Sequence, residues 1–413
     1  MHSSSKFAPV SALSLAALVC GSVLLQLAGS ALNVLVPLQM ALQGEATAVI
    51  GLVASAYAAG FLTGCLFGGR LARRVGHIRA FAILAAAQSC TVLALAMSDD
   101  AGAWLPLRFA GGFAGAGLSI VVDSWINGRT PRVYRGRVLA VYNIVNRLAM
   151  IAGQLWPAFT AATSTVAFIV MGMLYSASLI PVGFTRTRPP KRPDIVKVRL
   201  GEIWATSPIS IFGCFYVGLV SGALIGMLPA YGVLREMPPS AISILTAMVQ
   251  VGAMSMQWPL GFLSDRIDRR KVMLATAFVG LAAAVLLFVF SPLPLYLGYF
   301  AFAVIGGTCL PIYALSVAHA FDKSARDSAI TLSSSLLFVW ASGSAVGPML
   351  MSFVMQFAGS RGLHGYLVVL CAIFIGLTLW RLNRQPAPQR RTPFAAVSQT
   401  SPVLGRTDDA GNH

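Results

Sequence analysis

The segment Gly69-Arg70-Leu71-Ala72-Arg73-Arg74-Val75-Gly76-His77-Ile78-Arg79 joins two long apolar stretches of this chain. A second segment of the same design, Gly261-Phe262-Leu263-Ser264-Asp265-Arg266-Ile267-Asp268-Arg269-Arg270-Lys271, begins 192 residues later. Two further pairs of residues recur at nearly this spacing: Arg135 with Arg326 and Pro157 with Pro348, each 191 positions apart. Self-similarity at half the chain length predicts a duplicated membrane domain, a design that recurs in transporters.

The composition excludes an ordinary soluble domain. Of the 413 residues, 57% are hydrophobic and only 10% are charged, and the mean hydropathy is +0.76. About twelve stretches approach the ~20 residues that a helix needs to cross a bilayer. We therefore predict an all-α polytopic membrane protein, with twelve transmembrane helices arranged as two pseudo-symmetric six-helix bundles.

The net charge of +17 follows the predicted topology. With an even number of spans both termini lie on one side, and that side holds 26 of the 30 lysines and arginines. This asymmetry is the positive-inside rule, so we expect a multi-pass protein with cytoplasmic termini. The charge does not indicate a nucleic-acid partner.

One long interruption divides the apolar stretches into six and six. We predict an N-terminal six-helix bundle at 1–184, a basic cytoplasmic linker at 185–207 and a C-terminal six-helix bundle at 208–382. The linker is rich in proline and like charges, which favour an extended, solvated segment. Residues 383–413 have the composition of a disordered cytoplasmic tail.

The repeated segment resembles the loop signature of the major facilitator superfamily, Gly-x-Leu-x-Asp-Arg-x-Gly-Arg-Arg/Lys. The second copy matches it with Asp268 in place of the second glycine, and the first copy departs at the acidic position, where Arg73 stands. Arg108 and Gly112 match a further signature in the fourth span, whereas the Gly-Pro pair of the antiporter signature is absent. The resemblance covers about residues 10–382 and implies a monomeric secondary carrier that works by alternating access, without enzymatic activity or cofactor.

The resemblance also implies conformational gating by the two loop segments. We expect Asp265 to face the start of the fifth span near Arg135 and Arg137, across the domain interface. In the first half we expect Asp123 to serve as a substitute partner for Arg70, Arg73 or Arg137. The full set of gating candidates is Gly69, Arg73, Gly76, Asp123, Arg135, Gly261, Asp265, Arg266 and Arg269. The alternative is that these charges only set the topology.

Arg147 is the sharpest substrate-binding candidate, because it lies near mid-membrane, where a charged side chain is costly. Asn143 and Gln154 fall on its helix face, and Asn146 borders it. Arg108 lies close enough to the end of its span to snorkel to water, although its match to the signature also suggests a structural role. The alternative for Arg147 is a buried arginine bonded to amides and carbonyls.

Further polar side chains repeat on single helix faces and are candidates to line the same cavity: Gln26, Asn33, Gln250, Gln257 and Trp340. Each is also explained by helix packing, because polar contacts between helices are common in membranes. The six cysteines lie inside predicted spans without a CxxC pair, so we predict neither disulfides nor a metal site.

All thirteen acidic residues are placed by the sequence in loops, at span ends or in the tail, and the histidines at loop positions or termini. A coupling ion is therefore left open, and a positive cavity without acids favours a small organic or inorganic anion as substrate. The alternatives are efflux of amphipathic compounds along a surface of tryptophans and methionines and, more remotely, a membrane receptor that does not transport. The partners expected are a small-molecule substrate and the lipid bilayer.

Overall fold

The computed structural model describes residues 12–130, 132–160, 165–183, 198–323 and 329–383. Across these residues the chain forms helices and no strands. Twelve helical segments are long and apolar enough to cross a membrane, which confirms the predicted fold class. Most of the predicted tail and linker lies outside the described residues.

The first six spans contain seven helices: α1 (Ala12–Leu42), α2 (Thr47–Val75), α3 (His77–Ala96), α4 (Ala101–Arg129), α5 (Arg132–Leu155), α6 (Thr165–Ala177) and α7 (Leu179–Gly183). A single 3-10 turn at Trp156–Ala158 extends α5. The short helices α6 and α7 follow one another closely and together make the sixth span. We call α1–α7 the N-half.

A short helix, α8 (Leu200–Thr206), precedes the second six spans. These are built from α9 (Pro208–Leu234), α10 (Pro239–Arg266), α11 (Arg269–Phe290), α12 (Leu295–Cys309), α13 (Ile312–Lys323), α14 (Ala329–Ala358) and α15 (Arg361–Leu382). The tenth span consists of α12 and α13. We call α9–α15 the C-half.

Because neighbouring spans alternate in direction, the two loop segments of the repeat lie at the same end of the helices, which we call the basic end. The other end, reached by the α1–α2, α3–α4 and α9–α10 connections, is the opposite end. Within each half the helices approach closely at small residues, as is usual in membranes. A Cβ at Gly112 of α4 would overlap the backbone of Tyr57 in α2, and one at Gly306 of α12 would overlap Val249 in α10.

The two halves meet mainly where α1 and α2 pack against α9 and α14. Three of the contacts between the halves lie toward the opposite end. Ser55 Oγ of α2 accepts a hydrogen bond of 3.1 Å from the backbone N–H of Met349 in α14. A Cβ at Gly51 would overlap the Ser352 side chain, and Leu38 packs with Ile242 in a small buried cluster.

The last part of the predicted linker differs from the extended segment that its composition favours. Residues 200–206 form α8, whose Ile203 side chain is buried. The backbone N–H of Arg199 donates to Ser335 Oγ of α14 at 2.9 Å. Burial of an apolar side chain and satisfaction of a backbone donor therefore hold this stretch against the C-half.

Candidate functional site

The tenth span is interrupted near mid-membrane. Helix α12 ends at Cys309 and α13 begins at Ile312. Pro311 lies in the break, and because proline has no N–H it cannot donate to the Gly307 carbonyl four residues back. Interrupted spans are a recurrent feature of solute sites in transporters, since they present backbone polar groups at the bilayer midplane.

A small cavity of about 10 Å³ lies against this break. Its lining residues come from α5, α10 and the α12–α13 corner: Arg147, Ala253, Gln257, Leu310, Pro311, Tyr313 and Ala314. Because α5 belongs to the N-half and the other elements to the C-half, the cavity lies between the two halves. This volume has room for roughly one water molecule, so in this conformation the cavity is nearly closed.

Arg147 is the only charged residue among the described residues that line the cavity. Its guanidinium NH1 donates to Gln250 Oε1 of α10 at 3.1 Å. The partner is a neutral amide, so the hydrogen bond leaves the positive charge without a carboxylate in the lining of the cavity. A guanidinium in such a place can bind an anionic or strongly polar group, ideally through two parallel N–H donors.

Arg108 has different surroundings inside the N-half. It is 5% exposed, and its NH2 donates to Asn33 Oδ1 of α1 at 3.0 Å. The guanidinium carbon lies 4.1 Å from the centre of the Tyr57 ring of α2, in a cation–π contact. Arg108 therefore does not snorkel to water, because neighbouring helices enclose it.

The contact of Arg108 with Tyr57 was not predicted from the sequence. Tyr57 lies in an apolar stretch with no polar neighbour at helical spacing, so nothing in its pattern distinguished it. A related polar contact lies deeper in the N-half, where Gln88 Nε2 of α3 donates to the Tyr175 hydroxyl at 3.2 Å. The interior of the N-half thus holds several polar groups that hydrogen-bond to one another, although Arg108 Nε and Gln88 Oε1 have no hydrogen-bond partner among the described residues.

The polar residues predicted to share one face of α5 have different surroundings. Asn146 is buried and accepts a 3.1 Å hydrogen bond from Ser22 Oγ of α1, away from the cavity lining. Gln154 is also buried, and its Oε1 has no partner among the described residues. Asn143 and Gln26 are half-buried, and the structure describes no side-chain hydrogen bond for either.

Two of the predicted substrate-binding residues line the cavity, Arg147 and Gln257, and a third, Gln250, accepts the hydrogen bond from Arg147. Trp340 of α14 is not among the lining residues, but it packs against Tyr313, which is. Its edge packs on Tyr313 with centroids 6.2 Å apart, and its Nε1 donates to Ser221 Oγ at 3.2 Å. Asn33 lies with Arg108 instead.

Two acidic residues that the sequence placed at span ends are buried. Asp123 of α4 is 4% exposed and accepts a hydrogen bond of 2.7 Å from the Tyr142 hydroxyl. Asp322 at the end of α13 has a side chain that is 2% exposed and pairs with Arg269 at 3.0 Å. Both residues lie near the ends of their spans, as the sequence predicts, and their side chains turn into the protein.

At the second loop segment, Arg269 joins two elements of the C-half. Besides Asp322, its NH2 lies 3.4 Å from Asp265 Oδ1 on the preceding helix. Asp268 begins α11 and accepts from the backbone N–H of Arg270 at 3.0 Å. Burial works to raise the pKa of the Asp268 carboxyl, but the hydrogen bonds and charge of Arg270 hold that pKa below its ordinary value.

The other gating candidates have simpler surroundings. Arg266 is exposed and its guanidinium lies 4.0 Å from the centre of the Phe262 ring, whereas Gly261 is buried. The Arg135 side chain, the predicted partner of Asp265, lies outside the described side chains. The expected contact between these two residues stays a prediction.

In the first loop segment, Gly76 separates α2 from α3 with a φ of 86°. Only glycine adopts this conformation without strain, so the tight turn requires it. A Cβ at Gly69 would meet open space, and Arg73 is partly exposed. The expected contact between Arg73 and Asp123 stays a prediction.

Three histidines that the sequence placed at loop positions lie within helices instead. His77, His319 and His364 are each at most 1% exposed, because each lies near the end of a helix and turns into its half. His364 packs edge-on against Tyr231 with ring centroids 5.2 Å apart. Among the described residues, no three histidine, cysteine or acidic side chains come together as metal ligands would.

Comparisons with known proteins agree with this architecture. The family model described as Major Facilitator Superfamily matches residues 18–238 and 211–407. An uncharacterised MFS-type transporter of Yersinia enterocolitica is 28% identical over 389 residues, covering 92% of this chain and 97% of the relative.

Solved structures share the fold at low sequence identity. A bacterial homologue of the human lysosomal transporter Spinster, solved in an inward-facing and unoccupied conformation, superposes with a TM-score of 0.71 at 16% identity, covering 88% of this chain and 94% of that one. The nucleoside transporter NupG gives a TM-score of 0.71 at 14% identity, covering 90% of this chain and 98% of its own.

Proposed function

We propose that this chain, which belongs to the major facilitator superfamily and is therefore a membrane transporter and not an enzyme, moves a small organic or inorganic anion by alternating access. The observation that carries the proposal is the Arg147 guanidinium. It lies on the wall of a cavity between the two halves and donates to a neutral amide. Its positive charge is the only formal charge in that wall.

The physical argument rests on the cost of charge in a membrane. An arginine near the middle of a span costs about 2.5–3.5 kcal/mol on insertion scales, so its position needs a compensating gain. A bound anion supplies that gain through charge-assisted hydrogen bonds, which are stronger than those to a neutral amide. An anion is therefore the solute that this cavity wall favours.

Alternating access is supported by the position of the cavity and of the contacts around it. The contacts that join Ser55 to Met349 and Leu38 to Ile242 lie toward the opposite end, beyond the cavity. Rocking of the N-half against the C-half would break them and expose the cavity to that side. We propose that the basic end faces the cytoplasm of a bacterial cell, in line with the placement of its lysines and arginines.

We propose that the functional unit is a monomer in the inner membrane, with bundles at 1–184 and 208–382, a linker at 185–207 and a cytoplasmic tail at 383–413. The relation to nucleoside transporters such as NupG is one of fold and does not bear on the charge of the solute.

The proposal is tested by ligand-induced thermal stabilisation of the purified protein, followed by flux measurements in liposomes. The compounds are organic and inorganic anions, neutral sugars and lipophilic cations. We expect an anion to raise the melting temperature of the wild type and to have no such effect on Arg147→Ala. Arg74→Ala is the matched control, because it removes an exposed charge at the end of α2.

Stabilisation by anions that persists in Arg147→Ala would move the site away from this cavity. Stabilisation by sugars or cations alone would refute the anion proposal. Binding of an anion without flux in liposomes would indicate a receptor in place of a carrier.

A further inference from the structure

The cavity wall has two sides of different chemistry. Arg147 and Gln257 supply N–H donors from α5 and α10. The α12–α13 corner supplies Leu310, Pro311 and Tyr313, which are apolar except for the tyrosine hydroxyl. A simple inorganic anion would bind the N–H donors but would leave the apolar corner in contact with water alone. The wall therefore fits a solute with a charged end and an apolar end.

The apolar side continues into a row of aromatic rings. The Tyr313 ring packs against Trp340 with centroids 6.2 Å apart and planes at 63°, and Trp340 packs against Phe61 at 6.1 Å and 84°. These are edge-to-face arrangements, which aromatic rings prefer because of their quadrupoles. The hydrogen bond from Trp340 Nε1 to Ser221 Oγ fixes the middle ring.

This row crosses the boundary between the halves. Phe61 lies on α2 of the N-half, whereas Tyr313 and Trp340 lie on α13 and α14 of the C-half. A flat ring of a bound solute beside Tyr313 would extend this row with a further edge-to-face contact.

From these contacts we infer that the solute is an aromatic carboxylate or a close chemical equivalent: an anionic group bound by Arg147 and Gln257, joined to a flat ring that packs against Tyr313. The inference rests on the proposed function, because it places the solute in the same cavity. A saturated ring of equal size would bury a similar apolar area but would lose the edge-to-face geometry, so it would bind more weakly.

The test compares three probes on the purified wild-type protein at neutral pH: benzoate, cyclohexanecarboxylate and benzyl alcohol. The first two carry the same charge, and the first and third carry the same ring. We expect the dissociation constant of benzoate to be about three- to tenfold lower than that of cyclohexanecarboxylate. Benzyl alcohol, which lacks the anionic group, should not compete with benzoate.

Variants of Tyr313 test whether this residue causes the preference for benzoate over cyclohexanecarboxylate. Tyr313→Leu should bind benzoate and cyclohexanecarboxylate equally well, and Tyr313→Phe should keep the wild-type preference because the ring remains. Tyr296→Leu is the matched control, since Tyr296 is 69% exposed on α12 and is not among the lining residues.

Equal affinity of the wild type for the two carboxylates would overturn this inference and leave the anion proposal standing. A preference that survives in Tyr313→Leu, or disappears in Tyr313→Phe, would also overturn the assigned place of the ring. If neither carboxylate nor any inorganic anion binds, the proposed function itself fails. The wild-type comparison does not depend on any variant folding.

Discussion

Arg147 and Arg108 both lie deep within the bundle, and each donates to a neutral amide oxygen, at 3.1 and 3.0 Å. Their surroundings are otherwise opposite. Arg108 is enclosed by helices of the N-half and rests on the Tyr57 ring, whereas Arg147 is half-buried on a cavity wall between the halves.

The difference shows two ways of keeping a guanidinium inside a membrane protein. An enclosed arginine needs partners that are always present, because no water or solute reaches it, and an aromatic face supplies part of the compensation. An arginine on a cavity wall can exchange its partner for water or for a bound group. The first arrangement is suited to holding helices together, and the second to binding.

The largest effect that would separate the two arginines is on anion affinity. In Arg147→Gln we expect the affinity for benzoate to fall at least about tenfold, since hydrogen bonds to charged groups contribute about 1.5–3 kcal/mol. In Arg108→Gln we expect the affinity to stay within about threefold of wild type. Titration calorimetry measures both, and equal losses would mean that Arg108 belongs to the binding site.

A second difference concerns stability, where we expect the larger loss at the partner of Arg108 and the smaller loss at the partner of Arg147. Asn33→Leu removes the amide of the enclosed arginine, and we expect the free energy of unfolding to fall by about 1.5–3 kcal/mol. Gln250→Leu should lower it by less than about 1 kcal/mol, because water in the cavity can take the place of the amide. Thermal unfolding in detergent compares the two variants, and a larger loss in Gln250→Leu would contradict the distinction.

The smallest effect concerns the ring beneath Arg108. Tyr57→Leu removes the cation–π contact, and we expect a loss of about 1–2 kcal/mol of stability. Tyr57→Phe keeps the aromatic face and should unfold within about 0.5 kcal/mol of the wild type. The same unfolding measurement applies, and similar losses in both variants would assign the contribution to the hydroxyl group.

Much of this architecture was predictable because its signals are local or periodic. The twelve spans follow from runs of apolar residues, and the tight turn at Gly76 follows from a glycine between two charged stretches. We also expected Arg147 and Gln257 to line the same cavity, because a polar side chain in mid-span is costly to expose to lipid.

Other features were missed because they join residues far apart in the chain. The contact of Arg108 with Tyr57, the Asp322–Arg269 pair and the aromatic row from Tyr313 to Trp340 each link different helices. Burial of His319 was missed for a related reason, since a position near the end of a span does not tell which way the side chain turns.

The sequence by itself determined that the chain is a duplicated, twelve-span membrane protein of this superfamily, because hydropathy, charge placement and the repeated loop are properties of the chain in order. Only the tertiary structure decided that Arg147 lies on the cavity wall while Arg108 is enclosed. That outcome depends on how α5 meets α10 and how α4 meets α1 and α2, and such packing is set by the shapes of helices that the sequence keeps far apart.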